Sequence, residues 1–570
     1  MAEYLSPGVY VEEFESGGRP LAGVSTSTAG FIGLAQRGPI EGLPELVTSF
    51  ADFQRMYGGY LSDKAFKEFR YLSYAVEHFF INGGSRCYIM RVAPSDSKAS
   101  LNDDNAVLKF EAKNPGGWGD RIGIILTPSS KAKAAVLEIT GDAKYLLKNP
   151  AGFNEGDIVG FVTEEKAEYK KIVSVQGREV TLDSAIEGEI VDTNLLATKF
   201  LETCEFDLQV AYGDEVEFYD GVSLNPIAAN YIEKVVEKSN LVTITHKPVE
   251  GEEEIKPPYE LISGGTEDKL KVELKDGFDG SLANLSPGEY MGVDNGPGKR
   301  TGICSFIDND EVSIMAVPGV TLPEVQLALV AHCENTKSRF AILDIPRDLK
   351  KTNDVMTHRN MFDSDYAAMY HPWLKVYDPL DKRNNYVPPS GSIAGIYART
   401  DNERGVHKAP ANEVIRACLG LDCQYNRGEQ DILNPKGVNL IRNFTGQGIR
   451  VWGARTCSSN TLWKYINVRR LFIFIEESVK RGTDWVVFEP NDPNLWARVQ
   501  RTIETFLTRV WRDGALMGNS EGEAFFVKVD RTTMTQDDID NGRLICTVGI
   551  SPVKPAEFVI FRFTQKTSEN

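Results

Sequence analysis

No run of eighteen or more apolar residues occurs in the 570-residue sequence, and its first residues, MAEYLSPGVYVEEFES, carry no basic segment leading into an apolar one. A helix needs about 20 apolar residues to cross a bilayer, and a secretory leader needs that basic start. The chain is therefore expected to be made and folded in the cytoplasm, with no direct membrane insertion. Positive charge is also short: 63 Lys and Arg face 81 Asp and Glu, a formal net charge of -18. Phosphate backbones and anionic lipids repel such a chain, so no nucleic-acid partner is expected.

Metal, nucleotide and nucleophile signatures are missing as well. The six histidines form no H-E-x-x-H helix and join no cysteine cluster with zinc spacing, so no metal is expected. Cys87, Cys204, Cys304, Cys333, Cys418, Cys423, Cys457 and Cys546 share no short repeated spacing and read as reduced thiols packed among apolar neighbours, Cys418 and Cys423 within an apolar strand. GPGKRT (residues 296–301) lacks the upstream glycine and following helix of a phosphate loop, and GQGIRVWG (446–453) has the wrong glycine spacing for a dinucleotide turn. Neither nucleotide hydrolysis nor any cofactor is supported. GNSEG (518–522) fits the nucleophile-elbow pattern around Ser520, but a helix precedes it and a strand follows, the reverse of what an elbow needs. No catalytic residue is assigned.

What is present is the material of a folded protein. Hydrophobic residues make up 42% and charged residues 25%, and the length exceeds what one core organises, so two to four domains are expected. PGVYVEE (7–13) alternates Val9 and Val11 with Tyr10 and Glu12 and reads as a strand, followed by a Gly- and Pro-bearing tether over 16–30. An α/β unit begins at Phe31 with the strand FIGLA. A helix over 65–81 follows on the spacing of Phe66, Phe69, Val76, Phe79 and Phe80, and then the strand SRCYIMRV. Residues 101–300 have short strands and turns, with a small barrel over about 147–198 and one amphipathic helix over 225–239. The α/β texture returns near Gly302: SIMAVPG is a strand, TLPE (321–324) a capping box opening a helix to about His332, and FAILDIP the next strand. Helices over 462–481 and 494–513 are joined by the strand WVVFEP (485–490). At the other end, the strand RLICTVGIS (543–551) and a Pro-bearing linker lead to EFVIFRF, a strand of Phe558, Val559, Ile560, Phe561 and Phe563.

The predicted fold class is α/β (α+β) multidomain. An N-terminal arm and linker (1–22) precede a discontinuous core (23–100 and 301–540), a β-rich inserted domain (101–300) interrupts it, and a C-terminal strand and arm (541–570) closes the chain. Detached strands at both ends are best used by donation to sheets in neighbouring copies. The helix over 494–513 has Asp492 as its cap and Pro493 in its first turn. It buries Trp496, Val499, Ile503, Phe506 and Val510, and gathers Arg498, Arg501, Arg509 and Arg512 within an arc of roughly 80° on its other side. On an acidic chain that stripe is a candidate docking surface for an acidic partner; a solvated face is the alternative.

PGVYVEE, AVEHFFINGGSRCYIMRV (75–92), NPGGWGDRIGI (114–124), SGSIAGIYARTDNERGVHKAPAN (390–412), GIRVWGARTCSS (448–459), NVRRLFIFIEESVKRG (467–482) and VVFEPND (486–492) resemble contractile-tail sheath proteins, in that family's order. Residues 145–198 match nothing in the family pattern, which makes the barrel an elaboration. The resemblance implies a structural subunit, not an enzyme, that forms hexameric rings stacked helically around an inner tail tube. Its arms would lace neighbouring copies together, and baseplate and tail terminator proteins would be further partners. Contraction would drive the tube through a target membrane. The subunit would be synthesised in the bacterial cytoplasm and end in a virion tail sheath or an injection particle. A non-contractile tail-tube or capsid-like protein is an alternative that only the two-armed architecture separates, and a tail-associated hydrolase using Ser520 is a third reading.

Overall fold

A strand in which every residue is apolar or small can face water on neither side, and the chain has several. Ala29–Leu34 (β1) is AGFIGL, and all six residues are buried. In the computed structural model, which describes residues 21–162, 167–187, 200–247, 255–264 and 268–562, such strands form the middle of one eight-stranded sheet. With Glu45–Val47 as β2, Cys87–Val92 as β3, Ile314–Ala316 as β4, Phe340–Asp344 as β5, Ala367–His371 as β6, Val438–Phe444 as β7 and Gly448–Val451 as β8, the order is β2-β3-β1-β4-β5-β6-β7-β8. The six inner strands are parallel and the two edges antiparallel. In register, Ala29 sits between Cys87 and Ile314.

Successive residues of each strand feed opposite layers. Phe31, Ile89, Ala316 and Ile342 pack against α1 (Leu72–Ile81) and α3 (Ser390–Arg404). Ile32, Met90, Met315 and Ala341 pack against α2 (Pro323–Thr336). Helix α3 comes very close to α1: a Cβ on Gly391 would lie 2.4 Å from the Ala75 backbone, and one on Gly395 would lie 2.4 Å from the Phe79 carbonyl. Two missing side chains, one turn apart, set that spacing. Beyond them, α4 (Ile466–Gly482) and α5 (Pro493–Arg512) enclose a second core with the two-stranded sheet Phe525–Lys528 and Thr547–Ile550.

Between β3 and β4 the chain builds β-rich structure. A four-stranded and a three-stranded sheet share the core of Phe110, Trp118, Leu126, Phe206 and Val242. Six strands from Lys133–Gly141 to Phe200–Thr203 close into a barrel around Leu147, Val159, Phe161 and Val180. The barrel therefore begins and ends outside the expected 147–198, because its first and last strands pair with each other, Ala134 opposite Leu201. Buried Arg91 ties the insertion to the sheet, donating to the carbonyls of Ala35, Gly38 and Pro115. Leu285 and Tyr290 already pack in the core of the eight-stranded sheet.

Several expected elements differ. The helix over 65–81 is broken into Asp63–Phe66, a 3-10 turn at Lys67–Phe69, and α1, because Arg70 turns inward to a buried ion pair with Asp378 at 3.2 Å. Only Ile232–Val236 of the helix over 225–239 forms, since Asn225 is spent on Asp157 and the Glu155 carbonyl. Thr321 does not cap α2, whose start is set by Pro323 with Leu322 before it and no side-chain cap. Helix α4 starts at Ile466 after a 3-10 turn at Thr461–Trp463, and the last β-strand is only Thr547–Ile550. Cys418 and Cys423 flank a two-residue strand, Gly420–Leu421, and all eight cysteines are free, with Cys87, Cys333 and Cys457 buried. WVVFEP is no strand: Asp484–Val486 is a 3-10 turn and Phe488 has φ +69°.

The α1–α3 contact yields a direct test. Gly391→Ala should cost about 1–3 kcal/mol through overpacking, seen as a lowered urea midpoint. Gly522→Ala, whose added methyl meets nothing within 4 Å, should stay within about 0.5 kcal/mol.

Candidate functional site

The site begins where the terminal segments enter the fold. The tether expected over 16–30 is held from Leu21 onward, and Leu21 is buried. Thr26 donates to Asp401 at 2.7 Å, and Asp401 is paired bidentately with Arg470 of α4 at 2.9 and 2.6 Å. Arg470 also donates to the Thr26 carbonyl at 2.9 Å, and the Val24 amide donates to the Ser478 hydroxyl. Both charges of the pair are almost fully buried, so each needs the other, and the linker carbonyl takes up part of the guanidinium's remaining donor capacity. A Cβ on Gly23 would strike the Phe474 ring at 2.8 Å, and one on Gly482 would strike Leu21 at 2.3 Å. Absent side chains thus seat the linker in its groove.

The C-terminal segment is rooted in the same helix. Asn467, three residues and less than one turn before Arg470, donates to the Val553 carbonyl at 3.1 Å, while the Val553 amide donates to Ala515. Glu557 then closes a socket. It accepts from Arg455 twice at 2.7 Å, from Asn434 at 2.8 Å and from Tyr465 at 3.1 Å. The Pro-bearing linker is therefore not a free tether but a docked strap ending at Glu557. Immediately after it, Phe558, Val559, Ile560 and Phe561 are all exposed, and residues 553–562 form no helix or strand within this chain. The strand expected at Val9, Tyr10, Val11 and Glu12, and Phe563, lie outside the described residues.

Helix α5 presents the third element. Asp492 caps it by accepting from the Leu495 amide at 2.8 Å, and Trp496, Val499, Ile503, Phe506 and Val510 are buried, as the spacing predicted. The arginines divide. Arg501 and Arg512 are exposed, and no carboxylate among the described residues pairs with them. Arg498 stacks on Trp485 at 4.6 Å and reaches Glu489 at 3.7 Å. Arg509 is engaged elsewhere, donating at 2.5 Å to the Leu21 carbonyl at the linker root.

Two domain families match adjacent parts of the chain: the phage tail sheath protein central domain over residues 296–457, and the phage tail sheath C-terminal domain over residues 458–566. Residues 296–566, a little under half of the chain, thus match the domains of a phage tail sheath protein. The tail sheath protein of Vibrio phage KVP40 is 26% identical over 208 residues, 36% of this chain and 30% of that one. That of Escherichia phage P2 is 23% identical over 284 residues, 48% of this chain and 69% of its own length. The chain thus spans less than a third of the first relative's length and about two thirds of the second's. The fold is shared with the PVC sheath complex of an extracellular contractile injection system in its contracted state, at 21% identity, 99% coverage of each chain and a TM-score of 0.53.

Other candidates have structural explanations. Ser520 lies in an exposed loop before the four-residue helix Glu521–Ala524 and then a strand, the order opposite to an elbow. Asp344 is raised to about 6 by complete burial, offset by donors from Gly319 and Ser390, and it ties the end of β5 to the start of α3. Among the described residues no group of three His, Cys, Asp or Glu is placed to hold a metal ion, and no helix is long and apolar enough to cross a membrane. The roots at Arg470, Asn467 and Glu557 were missed from sequence. The paired arginines of NVRR on an otherwise apolar helix were the available signal, since buried arginine demands a partner.

Glu557 can be tested directly. Burial raises its pKa, but the bonds from Arg455, Asn434 and Tyr465 outweigh it and hold the carboxyl below its usual value. With a depressed folded pKa, the stabilisation is present above the unfolded value of about 4.3 and is lost as pH falls through the folded one. Hydrogen exchange over residues 551–557 should therefore be unaffected by pH above the unfolded value and accelerate in the native protein only as pH falls below it. Glu557→Gln should accelerate it at neutral pH by about 5- to 150-fold, a loss of about 1–3 kcal/mol.

Proposed function

We propose that this chain is the structural subunit of a contractile sheath that assembles as stacked hexameric rings around an inner tube. The observation that carries the reading is the pair of adjacent sheath-domain matches across the half of the chain in which both terminal segments are rooted. We assign residues 1–22 and 541–570 to arms, 23–100 and 301–540 to the sheath core, and 101–300 to an outward-facing insertion. Phe558, Val559, Ile560, Phe561 and Phe563 at one end, and Val9, Tyr10, Val11 and Glu12 at the other, add strands to sheets of neighbouring copies. Backbone pairing supplies affinity and alternate side chains supply register. Because each arm hangs from a fixed root, ring spacing can change while the pairings persist. Contraction then releases the difference between two packings of the same subunits and drives the tube through a target membrane. Baseplate and terminator proteins bound the stack, in a virion tail or an injection particle.

Arg498, Arg501 and Arg512 are assigned to docking on an acidic tube surface, and Arg509 to the linker root instead. Arg501→Glu with Arg512→Glu should abolish co-sedimentation with tubes in 0.15 M salt while changing subunit stability by less than about 0.5 kcal/mol. Unchanged co-sedimentation would mean a merely solvated face.

Truncation tests the arms. A chain ending at Glu557, or lacking residues 1–18, should remain folded with an unchanged melting temperature, yet build no ordered tubes by negative-stain microscopy. Unfolding, or normal tubes, would place those segments within their own subunit.

A further inference from the structure

The segment expected to be a buried strand between α4 and α5 is instead a rigid projecting turn. Its base is bonded throughout: the Val486 amide donates to Thr483, Val487 to Asp484 and Glu489 to Val486, and the Trp485 indole donates to the Gly482 carbonyl at 3.1 Å. Arg498 lies over the Trp485 ring and clamps the turn to the first turns of α5. At the tip the logic reverses. Phe488 is fully exposed, with a relative accessibility of 102%, and Val487 beside it is 64% exposed. Phe488 also has φ +69°, a left-handed conformation that bulky side chains rarely adopt. A well-held turn that spends backbone strain to hold an aromatic ring in water has the form of an interface anchor.

The neighbours say what the anchor meets. On the α5 arc spanned by Arg498, Arg501 and Arg512 no acidic residue occurs; Arg498 is held by Glu489 next to Phe488, which leaves Arg501 and Arg512 as the cations on that arc without a carboxylate partner among the described residues. We infer that Val487 and Phe488 are the apolar anchor of the α5 docking face, and that the partner is a different, acidic protein presenting an apolar socket rimmed by carboxylates. The ring fills the socket while Arg501 and Arg512 pair with the partner's carboxylates. The inference rests on the proposed docking of α5 to the tube and adds the specificity element to it. Charge alone steers and is screened by salt, whereas an inserted ring is not.

The full-length chain and polymerised tube protein of the same assembly provide the test, by co-sedimentation across salt concentrations. Phe488→Asn keeps a residue that tolerates left-handed φ, so the fold should be unchanged or slightly stabilised in a melting scan. It should weaken tube binding tenfold or more, equally at 0.05 and 0.5 M salt, whereas Arg501→Glu with Arg512→Glu should weaken it chiefly at low salt. If Phe488→Asn binds as the native chain does while the arginine variant fails, the anchor is overturned and the docking face stands. Both variants binding normally, or the native chain failing to bind tubes, overturns both. Loss of self-association without tubes in the Phe488 variant would identify a second copy as the occupant and also overturn the inference.

Discussion

The parallel pairing of Ala29, Gly30 and Phe31 with Ile314, Met315 and Ala316 is the contact on which the rest of the subunit depends. It joins strands about 280 residues apart in the chain, and without it neither half of the eight-stranded sheet could bury both its faces. Once that pairing holds, chain length between the strands matters little. Each doubling of a closed loop costs only about 0.6 kcal/mol, so the intervening β-sheets and the barrel burden the core weakly, provided that they fold on their own cores. Their separate clusters around Phe110 and Val159 meet that condition.

The same sheet fixes where the ends emerge. Residues just before β1 run along α4 and are gripped by Arg470, while those after the last β-strand cross α4 at Asn467. Two segments from opposite ends of the chain are thus held by side chains three residues apart on one helix face. A displacement of either segment is felt by α4, and through Leu21 and Arg509 by α5.

Charge is distributed in keeping with that arrangement. Most ion pairs among the described residues have at least one exposed partner and contribute little stability, but Arg470 with Asp401 and Arg70 with Asp378 are buried and cannot be broken singly without stranding a charge. They lock the linker root and the break before α1. Arg501 and Arg512, in contrast, remain without carboxylate partners among the described residues.

Local pattern determined a good deal by itself. The uniformly apolar strands, the capped and amphipathic α5 and the likeness of residues 296–566 to tail sheath domains were legible because they depend on composition, periodicity or short motifs read over few residues. Tertiary structure alone decided what depends on meetings across the chain. Arg70 interrupts a helix whose apolar spacing is continuous, because Asp378 waits inside the fold 308 residues later. The barrel's limits follow from Ala134 meeting Leu201. The linker is docked rather than loose because Asp401 and Arg470 receive it. WVVFEP has the composition of a strand, yet no sheet offers it an edge, and Phe488 is left pointing into solvent. Propensity is written in the residues themselves, but whether a strand, a carboxylate or an aromatic ring finds its partner is settled by which distant groups the fold brings near it.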